Sequence, residues 1–184
     1  GLPPAVQLVF LFGVVFAAIQ TDMKRLLAYS SIENIGLLIV GIGLALLFFG
    51  YGMAPMAALA LTAVLYDALN HAFFKSLLFV GTGAVLHATG QRNLGKLGGL
   101  LRFMPWVGWL ALIGALAAAG LPPLNGFVSE WLLLQSFLFT LGLKSTFVNM
   151  LLPVVAAGVA LVAALGGYVM VKFFGVIFLG QPRE

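Results

Sequence analysis

The sequence predicts an all-α fold: a polytopic transmembrane helix bundle with one discontinuous helix near residues 120–126. Of the 184 residues, 62% are hydrophobic and 8% are charged, whereas a soluble domain carries about 25% charged residues. Apolar runs recur along the whole chain and are continuous rather than alternating. Because lipid offers the backbone no hydrogen-bond partners, continuous runs of this kind favour helices over a β-barrel.

We expect one domain over residues 1–184, with about five membrane spans. The spans are placed at residues 4–20, 30–49, 55–87, 104–141 (interrupted) and 150–179. A helix needs about 20 residues to cross the hydrocarbon core, and the runs have lengths of this order. Since the chain opens on Gly1 with an apolar segment already under way, we also expect it to be a fragment of a longer protein.

Local signals set the limits of these spans. Ser30 and Glu33 have the spacing of a capping box, in which hydroxyl and carboxylate satisfy the free amide donors of a helix start. This places the start of the second span near residue 30 and assigns Glu33 a capping role. Proline and glycine residues at 120–126 remove a donor and break the helix, which is expected to restart near Phe127.

The basic residues predict an orientation. Lys24, Arg25, the basic loop at residues 89–102 and Arg183 fall on one side of a five-span topology, and only Lys144 falls on the other. Because cytoplasmic loops are enriched in Lys and Arg, we expect the N-terminus outside and the C-terminus inside. Two short spans in place of the interrupted one, each of about 15 residues, remain an alternative.

Composition also excludes several functions. The net charge of +4 comes from nine basic residues beside or inside the spans, so membrane topology explains it better than a nucleic-acid partner. Without cysteine the chain lacks ligands for iron–sulfur clusters and attachment sites for c-type haem. We expect no metal site and no cofactor in this chain, and no redox centre is visible.

Three titratable residues, Asp67, His71 and Lys75, lie four residues apart in the third span. A helix repeats every ~3.6 residues, so this spacing places them along one stripe ~12 Å long. Ionisable groups at membrane depth are costly and usually functional, which favours a proton relay. The alternative is that Asp67 and Lys75 offset each other's charge while His71 bonds a backbone carbonyl of the next helix.

Two further residues are candidates for the same proton pathway. Glu130 follows the helix break, and broken helices place free backbone groups and helix ends at the midplane, where transporters bind ions. Alternatively, Glu130 complements the positive end of the restarted helix. Lys172 lies near the presumed inner end of the last span, where a long side chain can also snorkel to the interface.

Three sequence blocks carry a family resemblance. They are QTDMKRLLAYSS at residues 20–31, LNHAFFKSLLF at 69–79 and LPPLNGFVSEW at 121–131. Together they resemble the antiporter-like membrane subunits of respiratory complex I and membrane-bound hydrogenases. The segments at 29–36 and 123–131 look most like the branch of hydrogenase-4 and formate hydrogenlyase component B. The resemblance covers essentially the whole chain, but only the later half of the family's helical core.

This resemblance implies a proton-translocating subunit of a redox-driven pump in a bacterial or archaeal inner membrane. Other membrane subunits, peripheral redox subunits and the lipid bilayer would be its partners. By motif match, His71 and Lys75 correspond to the family's central-axis histidine and lysine, and Glu130 to the charged residue of its second broken helix. Many relatives have histidine where this chain has Asp67, which makes that position a departure.

Two other functions fit the same fold. The chain could exchange sodium for protons in a multisubunit cation antiporter, or it could be a structural membrane scaffold whose buried ion pairs specify packing. The glutamate and lysine of the family's earlier half-channel are absent from this stretch, so the sequence does not outline a complete pathway.

Overall fold

The computed structural model describes residues 4–138, 143 and 145–181. Within them it contains six α-helices and no β-strand, which confirms the predicted all-α fold. The helices are α1 (Pro4–Ile19), α2 (Met23–Gly50), α3 (Ala54–Thr89), α4 (Pro105–Ala118), α5 (Asn125–Leu138) and α6 (Thr146–Phe174). A π-helical turn, Gly175–Leu179, extends α6.

Three helices are long and apolar enough to cross a membrane: α2, α3 and α6 with its extension, at 28, 36 and 34 residues. The predicted interruption is present, because α4 ends at Ala118 and α5 begins at Asn125. The five-span topology and its orientation stay predictions. Two of the residues that decide the orientation, Lys144 and Arg183, lie outside the described residues.

The predicted helix start and capping box near residue 30 are wrong. Helix α2 begins at Met23, and its cap is Asp22, whose carboxylate accepts hydrogen bonds from the amides of Lys24 (2.9 Å) and Arg25 (3.1 Å). A capping aspartate followed by good helix formers starts a helix even where basic residues suggest a loop. Ser30 and Glu33 therefore lie in the helix interior and form no capping box.

Helices α3 and α6 each pack against several other helices. Helix α3 packs against α2, α4 and α5, while α6 packs against α1, α2, α4 and α5. The exposed side chains of the helices are mostly large and apolar, as expected for the part of a bundle that is surrounded by lipid. The most exposed of these include Phe49, Phe73, Val80, Trp106 and Met150.

Helices α2 and α3 are fastened together at both ends. A short turn joins the end of α2 to the start of α3. At the opposite end, the Met23 amide donates to Arg92 O (3.0 Å) and the Leu94 amide donates to Thr21 O (2.7 Å). The Arg92 guanidinium also forms a salt bridge with Asp22 at 3.2 Å. The chain that leaves α3 is thus bound to the residues that begin α2.

Candidate functional site in the bundle interior

Lys75 is the central charged residue of the site. Its side chain projects from α3 to α2, where the ammonium donates to Ser30 Oγ at 2.6 Å and to Leu27 O at 3.3 Å. The residue is only 4% exposed. Burying a charge without partners costs several kcal/mol, and these two acceptors offset part of that cost.

Glu33 lies beside Lys75 in the same interior region. It is 4% exposed, and in the described part of the chain its Oε2 has no hydrogen-bond partner. Within residues 4–138 it forms no salt bridge with Lys75, although the two groups interact electrostatically. Glu33 also interacts electrostatically with Glu130 of α5. It therefore connects the α2–α3 interface to the restarted helix.

Glu130 and Asp67 face each other across α5 and α3. Their carboxylates interact electrostatically, and both residues line one cavity together with Ser129. The volume of this cavity is about 10 Å³, which is close to the lower limit for one water molecule. Its aliphatic lining consists of Leu37, Leu38, Ala63, Val64 and Leu133.

The helix break lies against the Glu130 carboxylate. Gly120 has φ +63°, a conformation in which a Cβ is strained. A methyl group added there would also collide with the Glu130 carboxylate. The interruption predicted from the proline and glycine pattern therefore forms part of the wall around Glu130.

Two asparagines attach the restarted helix to α3. The Asn70 amide donates to Asn125 O at 3.2 Å, and the Asn125 amide donates to Asn70 Oδ1 at 3.1 Å. Ser129 then donates to Gly126 O at 3.0 Å within the first turn of α5. These bonds fix the position of Glu130 relative to the helix that carries Asp67 and Lys75.

His71 lies between Asp67 and Lys75 on α3 and is half-buried. Its ring packs edge-on against Phe74 with centroids 5.4 Å apart. The buried Nε2 has no hydrogen-bond partner among the described residues, so this atom does not make the backbone bond considered as the alternative. His71 interacts electrostatically with Lys75.

Lys172 has a different environment. Its ammonium donates to Ala18 O at 2.6 Å and to Gln20 O at 3.1 Å. These carbonyls belong to the last residues of α1 and the chain just after it, where helix carbonyls lack intrahelical partners. A role for Lys172 in the pathway stays a prediction, and these contacts favour a structural role as a cap for α1.

The predicted stripe on α3 is divided between two neighbours. Asp67 faces α5, whereas Lys75 faces α2. Eight residues of α-helix amount to a rotation of about 80° beyond two full turns, so the two ends of a stripe spaced by four diverge in direction. The candidate site therefore surrounds α3, and it includes Glu33 on α2 and Glu130 on α5.

Sequence reasoning missed Glu33 because a Ser-x-x-Glu spacing fits both a capping box and one face of a helix interior. The signal that identifies it is Asp22. With the cap at that position, Glu33 lies 11 residues further along α2, or about 16 Å along the axis.

Comparison with known proteins shows the family. Residues 6–159 match the family model described as "NADH:quinone oxidoreductase/Mrp antiporter, TM". Formate hydrogenlyase subunit 3 of Escherichia coli K12 is 44% identical over 172 residues, which are 93% of this chain and 28% of that protein. Hydrogenase-4 component B of the same organism is 36% identical over 174 residues, covering 95% of this chain and 26% of that protein.

A solved structure supports the same assignment. A chain in the Mrp complex from Dietzia sp. DQ12-45-1b matches with a TM-score of 0.77 and 28% identity, covering 96% of this chain and 29% of that one. This chain thus spans less than a third of the length of each of these relatives. The resemblance inferred from the three sequence blocks is confirmed: the chain is an integral membrane protein of the NADH:quinone oxidoreductase/Mrp antiporter transmembrane family.

Proposed function

We propose that this chain conducts protons through the membrane as part of a redox-driven pump. The observation that carries the proposal is the set of ionisable side chains around α3: the buried Lys75 with Glu33 of α2, and the partly buried Asp67 with Glu130 of the restarted helix α5. A lysine this deeply buried, with a buried carboxylate within electrostatic range, is costly to the fold and is explained by a function that uses its charge.

In this proposal Lys75 is the switchable central base. Its ammonium can release a proton and take one up again, which an arginine cannot do. His71 acts as a relay, since neutral imidazole can accept a proton at one nitrogen and donate from the other. Glu130 accepts the proton and passes it toward the exit or the next subunit, with Asp67 and the small cavity beside it.

In this proposal the other subunits of the complex supply the energy for proton transport. We propose that redox centres are held by peripheral subunits, that other membrane subunits flank this chain, and that the complex lies in the inner membrane of a bacterium or archaeon. Similarity to proteins named as subunits of formate hydrogenlyase and hydrogenase-4 supports this reading.

Sodium/proton exchange is the second candidate, because the matched family and the matched structure include Mrp antiporters. Sodium sites in transporters are built from several oxygen ligands, often with unwound backbone carbonyls. Here a lysine ammonium occupies the Ser30 and Leu27 oxygens, which favours protons over sodium as the transported ion. The third candidate function is a structural membrane scaffold with buried polar groups.

One assay separates these functions. The parent complex is reconstituted in vesicles, and proton uptake, sodium uptake and assembly are compared for wild type, Lys75→Ala and Glu130→Gln. A positioned proton-transfer group is worth about a hundredfold in rate, so we expect proton uptake per turnover to fall by about that factor in both variants. Gln135→Ala is the matched control, because Gln135 is on the same helix but lines an outer groove.

Other outcomes identify the rivals. If proton uptake per turnover is intact in the complex that assembles, the scaffold explanation replaces the proposal. Sodium uptake that is coupled to proton movement and lost in both variants would assign the chain to exchange.

A further inference from the structure

We infer that Glu33 is a proton-transfer group that links Lys75 to Glu130, and that it completes the polar connection from α2 through α3 to α5. This inference rests on the proposed proton conduction. It adds a residue outside the stripe on α3, to which the sequence pattern assigns only a capping role.

The first observation is the state of the carboxylate. Glu33 is 4% exposed, and its Oε2 has no hydrogen-bond partner in the part of the chain that the structure describes. A buried carboxyl group that serves only packing is normally satisfied by hydrogen bonds or a salt bridge. An oxygen without a partner is available to bind a proton or a water molecule.

The second observation is the space made for the side chain. A methyl group added at Gly166 of α6 would lie 2.8 Å from Glu33 Oε1, closer than van der Waals contact allows. A methyl group at Gly13 of α1 would lie 2.6 Å from the Glu33 amide nitrogen. The neighbouring Gly167 has open space around its Cα. Gly166 thus leaves room for the Glu33 carboxylate, Gly13 allows the close approach of the α2 backbone at this residue, and Gly167 does neither.

The third observation is the set of charges around the carboxylate. Lys75 of α3 and Glu130 of α5 both interact electrostatically with it. Ser30, which binds the Lys75 ammonium, lies three residues before Glu33 on α2. Residues three apart on a helix lie on one face with Cβ atoms about 5–6 Å apart. The ammonium can therefore move from the Ser30 hydroxyl to the Glu33 carboxylate by a change of lysine rotamer.

This arrangement supports a balanced two-step transfer. In the first step the Lys75 ammonium gives a proton to the Glu33 carboxylate, which leaves a neutral amine and a carboxylic acid. In the second step the Glu33 acid gives that proton to the Glu130 carboxylate, directly or through water, and returns to its charged form. A proton from His71 or water restores the Lys75 ammonium.

A purely structural role is the alternative, in which Glu33 only offsets the charge of Lys75. The two roles differ in one respect: the relay requires the carboxyl group to change protonation during turnover, whereas the structural role requires a constant charge. Infrared difference spectroscopy detects this change as a carbonyl-stretch band of a protonated carboxylic acid.

The test uses the whole membrane complex that contains this chain, with Glu33→Gln, Glu33→Asp, Lys75→Ala and Glu130→Gln. We expect Glu33→Gln to assemble, to lose proton uptake per turnover by about tenfold or more, and to lose one carboxyl band from the turnover difference spectrum. Glu33→Asp retains an acid and should recover part of the uptake and a shifted band.

Gly166→Ala provides a second variant in which the carboxylate is kept but displaced, and Gly167→Ala is its matched control. We expect reduced proton uptake in Gly166→Ala and wild-type uptake in Gly167→Ala. If Glu33→Gln does not assemble, this pair and the Glu33→Asp band decide the question: equal uptake in the two glycine variants with no shifted band would overturn the inference.

The outcomes for this inference and for the proposed function are distinct. Wild-type uptake in Glu33→Gln, together with loss in Lys75→Ala and Glu130→Gln, removes Glu33 from the pathway and leaves proton conduction in place. Wild-type uptake in all three variants overturns both.

Discussion

Two lysines in the apolar helices of this protein, Lys75 and Lys172, donate hydrogen bonds to main-chain carbonyls. Lys172 binds the free carbonyls at the end of α1, where a positive charge complements the negative end of the helix. Lys75 binds a serine hydroxyl and a carbonyl in the interior of α2, with Glu33 in electrostatic range. The two lysines thus differ in their neighbours, and we expect this difference to separate a structural charge from one suited to proton transfer.

Replacing each lysine with arginine tests this difference most strongly. Arginine keeps the positive charge and donates to carbonyls but does not give up its proton. We expect Lys75→Arg to lower proton uptake per turnover by about a hundredfold. Lys172→Arg should leave it unchanged. Uptake is measured in vesicles and normalised to the assembled complex; similar effects of the two replacements would contradict the comparison.

Gly120→Ala extends the comparison to the helix break. Alanine at this positive φ is strained by about 1–2 kcal/mol, and its methyl would also push the Glu130 carboxylate away. Because small displacements of a transfer group are costly, we expect about a tenfold loss of proton uptake.

The matched control for Gly120→Ala is Gly52→Ala. Gly52 has φ +73° and no neighbour within 4 Å of an added methyl. It should share the loss of stability and keep full uptake. Equal uptake in the two variants would show that the wall around Glu130 does not position it.

Ser30→Ala removes the shorter of the two hydrogen bonds to Lys75. A hydrogen bond to a charged group is worth about 1.5–3 kcal/mol, so we expect the stability of the complex to fall by about 2 kcal/mol, measured from denaturant titration in detergent. Ser76→Ala is the control, because Ser76 follows Lys75 on α3 but is exposed. That variant should stay within about 0.5 kcal/mol of wild type.

Lys172→Met should have the smallest effect. Loss of a cation at a helix C-terminus costs about 1 kcal/mol, or up to about 2 when it is partly buried. We expect lower stability in the same titration and unchanged proton uptake per turnover. A loss of uptake comparable to that of Lys75→Arg would return Lys172 to the pathway.

Composition and motif order were sufficient to predict the helical bundle, the family and the break before α5. These features depend on properties that each segment carries alone: apolar runs, and the proline and glycine residues at 120–126. Lys75 and Glu130 were found for the same reason, since a charge inside an apolar run is visible without knowledge of its neighbours.

The features that could not be predicted depend on how helices face one another. The local sequence around Glu33 fits a helix cap. Lys75, which interacts electrostatically with Glu33, is 42 residues away in the chain, so no local pattern indicates that the two side chains are close. The divergence of Asp67 and Lys75 toward different helices likewise depends on where α2 and α5 pack around α3. From the sequence alone, Gly166 is an ordinary residue for helix packing. Only the structure shows that it lies beside the Glu33 carboxylate.

The fastening of α2 to α3 at both ends limits how the protein can move. A hairpin closed by the Thr21–Leu94 and Met23–Arg92 bonds, with Asp22 and Arg92 across them, can tilt as a unit but cannot splay without breaking these contacts. Reorganisation around Lys75 therefore has to come from side-chain torsions and solvent entry rather than from hinge motion between these two helices. Such a frame suits the proton transfer proposed for Lys75, because side-chain rotation requires no large backbone movement between α2 and α3.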